Sequence, residues 1–106
     1  MNRQQQIDQF VAQAHQLAMQ RLRERPERMG EVQAQLARWR RQSGPTRSDF
    51  YWNEWESLLQ GAVGALGLAV CADTDHAAEL RSVSPMSVLI TQSERAQLLR
   101  QTRNSA

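Results

Sequence analysis

Residues 7–22 read IDQFVAQAHQLAMQRL, and the apolar members Ile7, Phe10, Val11, Ala14, Leu17, Ala18 and Leu22 recur at intervals of three and four. That is the period of an amphipathic α-helix, with one stripe turned to a core and the glutamines at 9, 13, 16 and 20 turned to water. His15 falls with the polar side on this reading. The pattern predicts a helix over 3–24, stopped at Arg25 because a residue before proline is pushed out of the α region. Pro26 suits the first turn of a second helix over 26–43, in which Met29, Val32, Leu36 and Trp39 repeat at the same period. Gly44-Pro45 ends it, a glycine cap followed by a residue that cannot continue the helix. The two segments read as an antiparallel helical hairpin.

Downstream, Thr46-Arg47-Ser48-Asp49 offers capping groups, and Trp52, Trp55, Leu59 and Ala62 or Val63 trace a third stripe. Gly61, Gly64 and Gly67 fall three apart, and each costs about 1 kcal/mol in a helix relative to alanine. Either the helix breaks at Gly61 or a neighbour packs closely on the glycines; Leu66 and Val70 keep the stripe going, so the expectation is one helix over 49–72, with room for a kink near Gly61 to Gly64. Asp73-Thr74-Asp75 caps a short helix over 75–82. Ser84-Pro85 opens a further turn. Thr91-Gln92-Ser93-Glu94 is a capping-box pattern ahead of a last helix over 92–103.

Composition agrees. Ala, Leu, Arg, Met, Gln and Glu supply 62 of the 106 residues, against 12 Val, Ile and Thr, which favours helix over strand. The expected fold is all-α, a single compact domain spanning residues 1–106 with four to five helices. The amino terminus lacks the apolar stretch and cleavage site of an export signal, and the uncharged run from Ser57 to Ala72 is shorter than the ~20 residues that span a bilayer. The lone Cys71 cannot form an internal disulfide and sits among apolar residues. These features lead us to expect a cytoplasmic protein of bacterial type.

All 13 cations are arginine. Their placing is more informative than their identity: residues 1–47 sum to +5, residues 48–79 to −6 and residues 80–106 to +3. A polarised surface has a preferred direction of approach to a partner. Arginines 21, 23, 25, 28, 38, 40, 41 and 47 cluster in the hairpin and suit phosphate contact. Glu24, Glu27 and Glu31 lie among them, and Glu24 with Arg28 or Glu27 with Arg23 stand at helical pairing distance. A nucleic-acid-associated regulator is therefore the alternative reading.

The aromatic cluster weighs most. Phe50, Tyr51, Trp52 and Trp55 lie within six residues, too many for a single ~100° stripe to bury. Either Trp39, Trp52 and Trp55 form one side of the core while Phe50 and Tyr51 cover the helix start, or part of the cluster is exposed as an anchor, since Trp and Tyr with Arg dominate interface hot spots. The candidate partner-binding residues are Trp39, Arg40, Arg41, Tyr51, Trp52 and Trp55.

Other chemistry is poorly supported. Asp73, Asp75, His76 and Glu79 look like metal ligands, but capping accounts for the aspartates, and the only other histidine is His15. The glycine series lacks the phosphate-loop and dinucleotide patterns. Cys71 with His76, or Ser84 or Ser87 with either histidine, are the only nucleophile and base candidates, and Glu54 and Glu56 point apart on a helix. The expectation is no cofactor, no metal and no catalysis, with a small metal-dependent or thiol enzyme as the remotest alternative. The expected function is a non-catalytic interaction or regulatory module that binds another protein or a second copy of itself.

Overall fold

A computed structural model describes residues 2–104, with side chains placed through Arg103. Among them every regular element is helical: α1 (Arg3–Glu24), α2 (Met29–Ser43), α3 (Asp49–Gln60), α4 (Val63–Val70), α5 (Asp75–Ser82) and α6 (Gln92–Asn104). Two 3-10 turns, Pro26–Arg28 and Pro85–Leu89, complete the set.

The local signals act largely as their chemistry requires. Asn2 Oδ1 accepts from the Gln5 amide at 2.8 Å while Gln5 Oε1 accepts from the Asn2 amide at 3.1 Å, a capping box that opens α1. Pro26 starts the first 3-10 turn. Gly44 adopts a positive φ of 63° at the end of α2, a conformation glycine takes without steric cost. Ser84 Oγ accepts from the Met86 amide at the second 3-10 turn, and Thr91 and Glu94 form the expected capping box on α6. At α5 the cap is Thr74, whose Oγ1 accepts from the Ala77 amide at 3.1 Å. Neither neighbouring aspartate has that role.

The structure corrects three expectations. The helix expected over 49–72 is two helices, because Gly61 and Ala62 are both extended. The last carbonyls of α3 are picked up locally and from outside: the Gly61 amide donates to Leu58 O, and Gln33 Nε2, reaching from α2, donates to Leu59 O at 3.0 Å. Of the three glycines, only Gly67 lies against a neighbour, since a Cβ there would stand 3.3 Å from Met19 Cε; a Cβ at Gly64 would meet open space.

The second correction concerns the hairpin. The principal neighbours of α1 are α6, the second 3-10 turn, α5 and α4, whereas α2 packs on that 3-10 turn and on α3. Pro85, Met86 and Leu89 are buried in the turn that both helices share. The two long helices therefore lean on a common 3-10 wedge more than on one another.

Third, His15 is buried. With α4 and α5 packed on α1, the inward stripe becomes Ala14, His15, Ala18, Met19 and Leu22, and Ile7 is left 45 % exposed. The imidazole is accommodated by donating Nδ1–H to Val11 O at 2.8 Å. Burial lowers its pKa, with a smaller contribution from the positive charge of Arg81, so the ring stays neutral.

One core unites these elements: Met19 and Leu22 from α1, Val32 and Leu36 from α2, Trp55 and Leu59 from α3, Leu66 and Val70 from α4, Leu80 from α5, and Met86 and Leu89 from the second 3-10 turn. No helix among the described residues is long and apolar enough to cross a membrane.

Candidate interaction surface

The helix α3 sorts the aromatic cluster by angle. Trp55 is fully buried and donates its indole N–H to Leu80 O at 2.9 Å; Trp52, 8 % exposed, donates to Val83 O at 3.0 Å. Both indoles thus satisfy carbonyls at the end of α5 and staple it to α3. Neither ring is available on the folded surface, so the two tryptophans named as partner contacts in the sequence are core residues. Trp39, half-buried, closes this side with its ring centroid 6.3 Å from that of Trp52.

Phe50 lies outside. It is 68 % exposed, and the half-buried Tyr51 meets it edge to face at a centroid distance of 5.1 Å. Tyr51 is in turn 5.8 Å from the His76 ring, whose Nε2 bonds both carboxylate oxygens of Glu54 at 2.8 and 2.9 Å. A phenyl ring is thereby presented to solvent at the start of a helix on a supported base. Sequence composition identified the cluster; the rotation of α3 decides that Phe50, absent from the named contacts, is its accessible member.

The charges nearby divide in the same manner. Arg40 is taken up by Glu56 at 2.9 Å and more loosely by Asp49 at 3.9 Å, so it ties α2 to α3. Asp49 also accepts from the Thr46 amide at 3.2 Å, which fixes the connection. Arg41 is exposed, as are Arg38 one turn before it and Arg47 in the connection, and none of the three has an ion pair or hydrogen bond to a described residue. The corner between α2 and α3 therefore carries one exposed aromatic and three uncompensated guanidinium groups.

Several arginines elsewhere are spoken for, but not by the partners that helical spacing suggested. Since α1 ends at Glu24, Glu24 and Arg28 do not share a helix, and Arg28 instead pairs with Glu31 at 2.7 Å. Arg21 reaches across to Glu94, with Nη1 and Nη2 on its two oxygens at 2.7 and 2.6 Å. Hydrogen bonds from Arg21 and Thr91 bring the Glu94 carboxyl down to about 2.

Of the other candidate groups, Ser84 and Ser87 line one cavity together with His15. His76 is engaged by Glu54, and burial pushes the Cys71 thiol pKa up, away from the thiolate that a nucleophile needs. Among the described residues no three His, Cys, Asp or Glu side chains are grouped to hold a metal ion. No protein-family model matches the chain, and no curated protein and no solved structure is significantly similar to it.

Proposed function

We propose that the protein is a non-catalytic cytoplasmic interaction module that docks an acidic protein surface at the corner between α2 and α3, with Phe50 as the apolar anchor. The observation that carries this reading is the exposed Phe50 ring at the start of α3 together with the exposed, unpaired Arg38 and Arg41 of α2 and Arg47 of the connection. Phe and Arg are among the residue types enriched at protein interfaces, and exposed guanidinium groups favour a partner of opposite charge. Tyr51 and Trp39 form the half-buried base of the contact, and Arg40 positions it through Asp49 and Glu56. Trp52 and Trp55 act from beneath by holding α3 in place.

The second reading, contact with nucleic acid, draws on the same arginines and is separable by experiment. The Arg41→Glu, Arg47→Glu double variant is compared with wild type by quantitative mass spectrometry of co-purified proteins and by a gel-shift titration with duplex DNA. An acidic protein lost from the variant, with no DNA shift at ~50 mM salt, supports protein docking. A DNA shift that weakens steeply with salt and is abolished by the variant, while Phe50→Ala leaves it intact, supports the nucleic-acid reading instead. A second copy binding through the exposed Asp73, Asp75 and Glu79 would register as salt-sensitive dimerisation in light scattering of the protein alone.

A further inference from the structure

A second feature lies away from the corner and does not depend on it. Between α1, the end of α5, the second 3-10 turn and the start of α6 is a half-open cavity of about 130 Å³. Its wall is largely apolar, built by Phe10, Ala14, Met86 and Ile90. Two guanidinium groups, Arg81 and Arg95, also line it, and no carboxylate does.

Each of these cations is placed to accept an anion. Arg81 is pinned through Nη1, which donates to Val70 O at 2.7 Å and Ala72 O at 3.0 Å. A side chain already fixed by such bonds loses little further freedom when its remaining donors take a ligand. Arg95 is half-buried, and its guanidinium has no ion pair or hydrogen bond to a described residue. Its neighbour in sequence, Glu94, is not available to it: both carboxylate oxygens are held by Arg21, and Oε1 also accepts from the Thr91 amide at 2.8 Å. A partly buried cation left without a counter-charge is costly unless something else supplies one.

The same wall contains the buried His15 ring, 8 % exposed, whose Nδ1 is bonded to Val11 O and whose Nε2 has no partner. Buried polar atoms are normally satisfied, so an unmet acceptor in the same wall as the unpaired Arg95 marks a place where the chain leaves polar capacity unfilled, although this acceptor calls for a donor and the anion falls to the arginines alone. Shape and chemistry then restrict the occupant. A cavity of ~150 Å³ admits one benzene-sized body, and guanidinium forks match carboxylates. An inorganic phosphate would leave the apolar wall uncovered.

We propose that this cavity binds a small free organic acid, a single carboxylate held by Arg81 and Arg95 with a compact apolar body against Phe10, Ala14, Met86 and Ile90. The probe is benzoate, titrated into the full-length protein and followed by amide NMR shifts and thermal denaturation. Benzyl alcohol, inorganic phosphate and an acetylated tripeptide ending in valine are titrated in parallel. The expected result is saturable binding of benzoate in the millimolar range or tighter, with shifts confined to residues around Ala14, His15, Ser87 and Arg95. Benzyl alcohol and phosphate should bind at least about tenfold more weakly, a difference of ~1.4 kcal/mol.

Two variants keep the test decisive. Arg95→Gln removes a charge without touching the core and should weaken benzoate at least about tenfold without lowering the melting temperature. Ala14→Leu fills the cavity and should abolish the shifts. Absence of saturation at ~20 mM benzoate, equal binding of benzyl alcohol or phosphate, or full binding by Arg95→Gln overturns the proposal. Tighter binding of the tripeptide than of benzoate overturns the assignment to a free acid.

Discussion

Trp55 and Phe50 stand on the same helix, α3, with opposite fates: Trp55 is fully buried and hydrogen-bonded to α5, while Phe50 is 68 % exposed with only Tyr51 against its edge. An aromatic side chain is thus neither core nor interface by identity. The helical phase and what packs on each side decide. On the inner side the end of α5 closes over the indoles; on the outer side the phenyl ring, with Tyr51 at its edge, stays 68 % exposed. The inner aromatics bear on stability, and the outer one is free to bear on recognition.

The most severe way to break this contrast is Trp55→Ala. Deleting a buried tryptophan should cost about 3–5 kcal/mol in denaturant unfolding, a large share of the stability of a domain this small. A loss under ~1 kcal/mol would mean that α3 is not the centre of the core. Trp52→Phe sharpens the point, since it keeps an aromatic ring and removes the N–H that satisfies Val83 O. A cost of about 1 kcal/mol is expected, and no cost would show that the carbonyl finds water.

The glycines of α4 offer a milder version of the same comparison. Gly64→Ala enters open space and should stabilise by up to ~1 kcal/mol through helix propensity. Gly67→Ala should gain less, because the added methyl would lie 3.3 Å from Met19 Cε and 3.0 Å from Arg23 Nη2, and both must shift. Equal effects would contradict the packing of α4 on α1.

Stability against pH separates two further regions. His15 is held neutral by burial, its pKa lowered from 6.5. As pH falls below that value the unfolded chain takes up a proton that the folded one resists, so stability declines. Glu94 acts lower: paired with Arg21, its pKa is about 2 instead of 4.5, so its contribution is present above 4.5 and lost as pH falls toward 2. His15→Phe should remove the upper part of the decline and Glu94→Gln should lessen the lower part, to which Glu31, lowered by its hydrogen bonds with Arg28, also contributes. A single unchanged acid transition in both variants would contradict this assignment.

The contrast also shows what local sequence can convey. The stripe of α2 was legible because Val32 and Leu36 face a neighbour along their whole length, and the caps at Gly44, Ser84 and Thr91 depend only on adjacent residues. The break at Gly61 was legible only as one of two readings, since Leu66 and Val70 continue the apolar period across it and the side chain that donates to the freed carbonyl, Gln33, comes from another helix. His15 was misplaced for a related reason: a single helix wheel cannot show that α4 and α5 arrive on its polar-seeming side. The aromatic cluster was visible as composition, but its accessible member was not. Nor was the cavity, whose Phe10, Arg81 and Arg95 come from α1, α5 and α6.

The central claim, that the exposed aromatic of α3 serves recognition and the buried ones serve folding, is tested most directly by Phe50→Ala, with denaturant stability and partner capture measured on the same preparation. The account predicts a stability within about 0.5 kcal/mol of wild type together with loss of the acidic protein that wild type retains. A clear drop in stability, or undiminished capture at full stability, would contradict it.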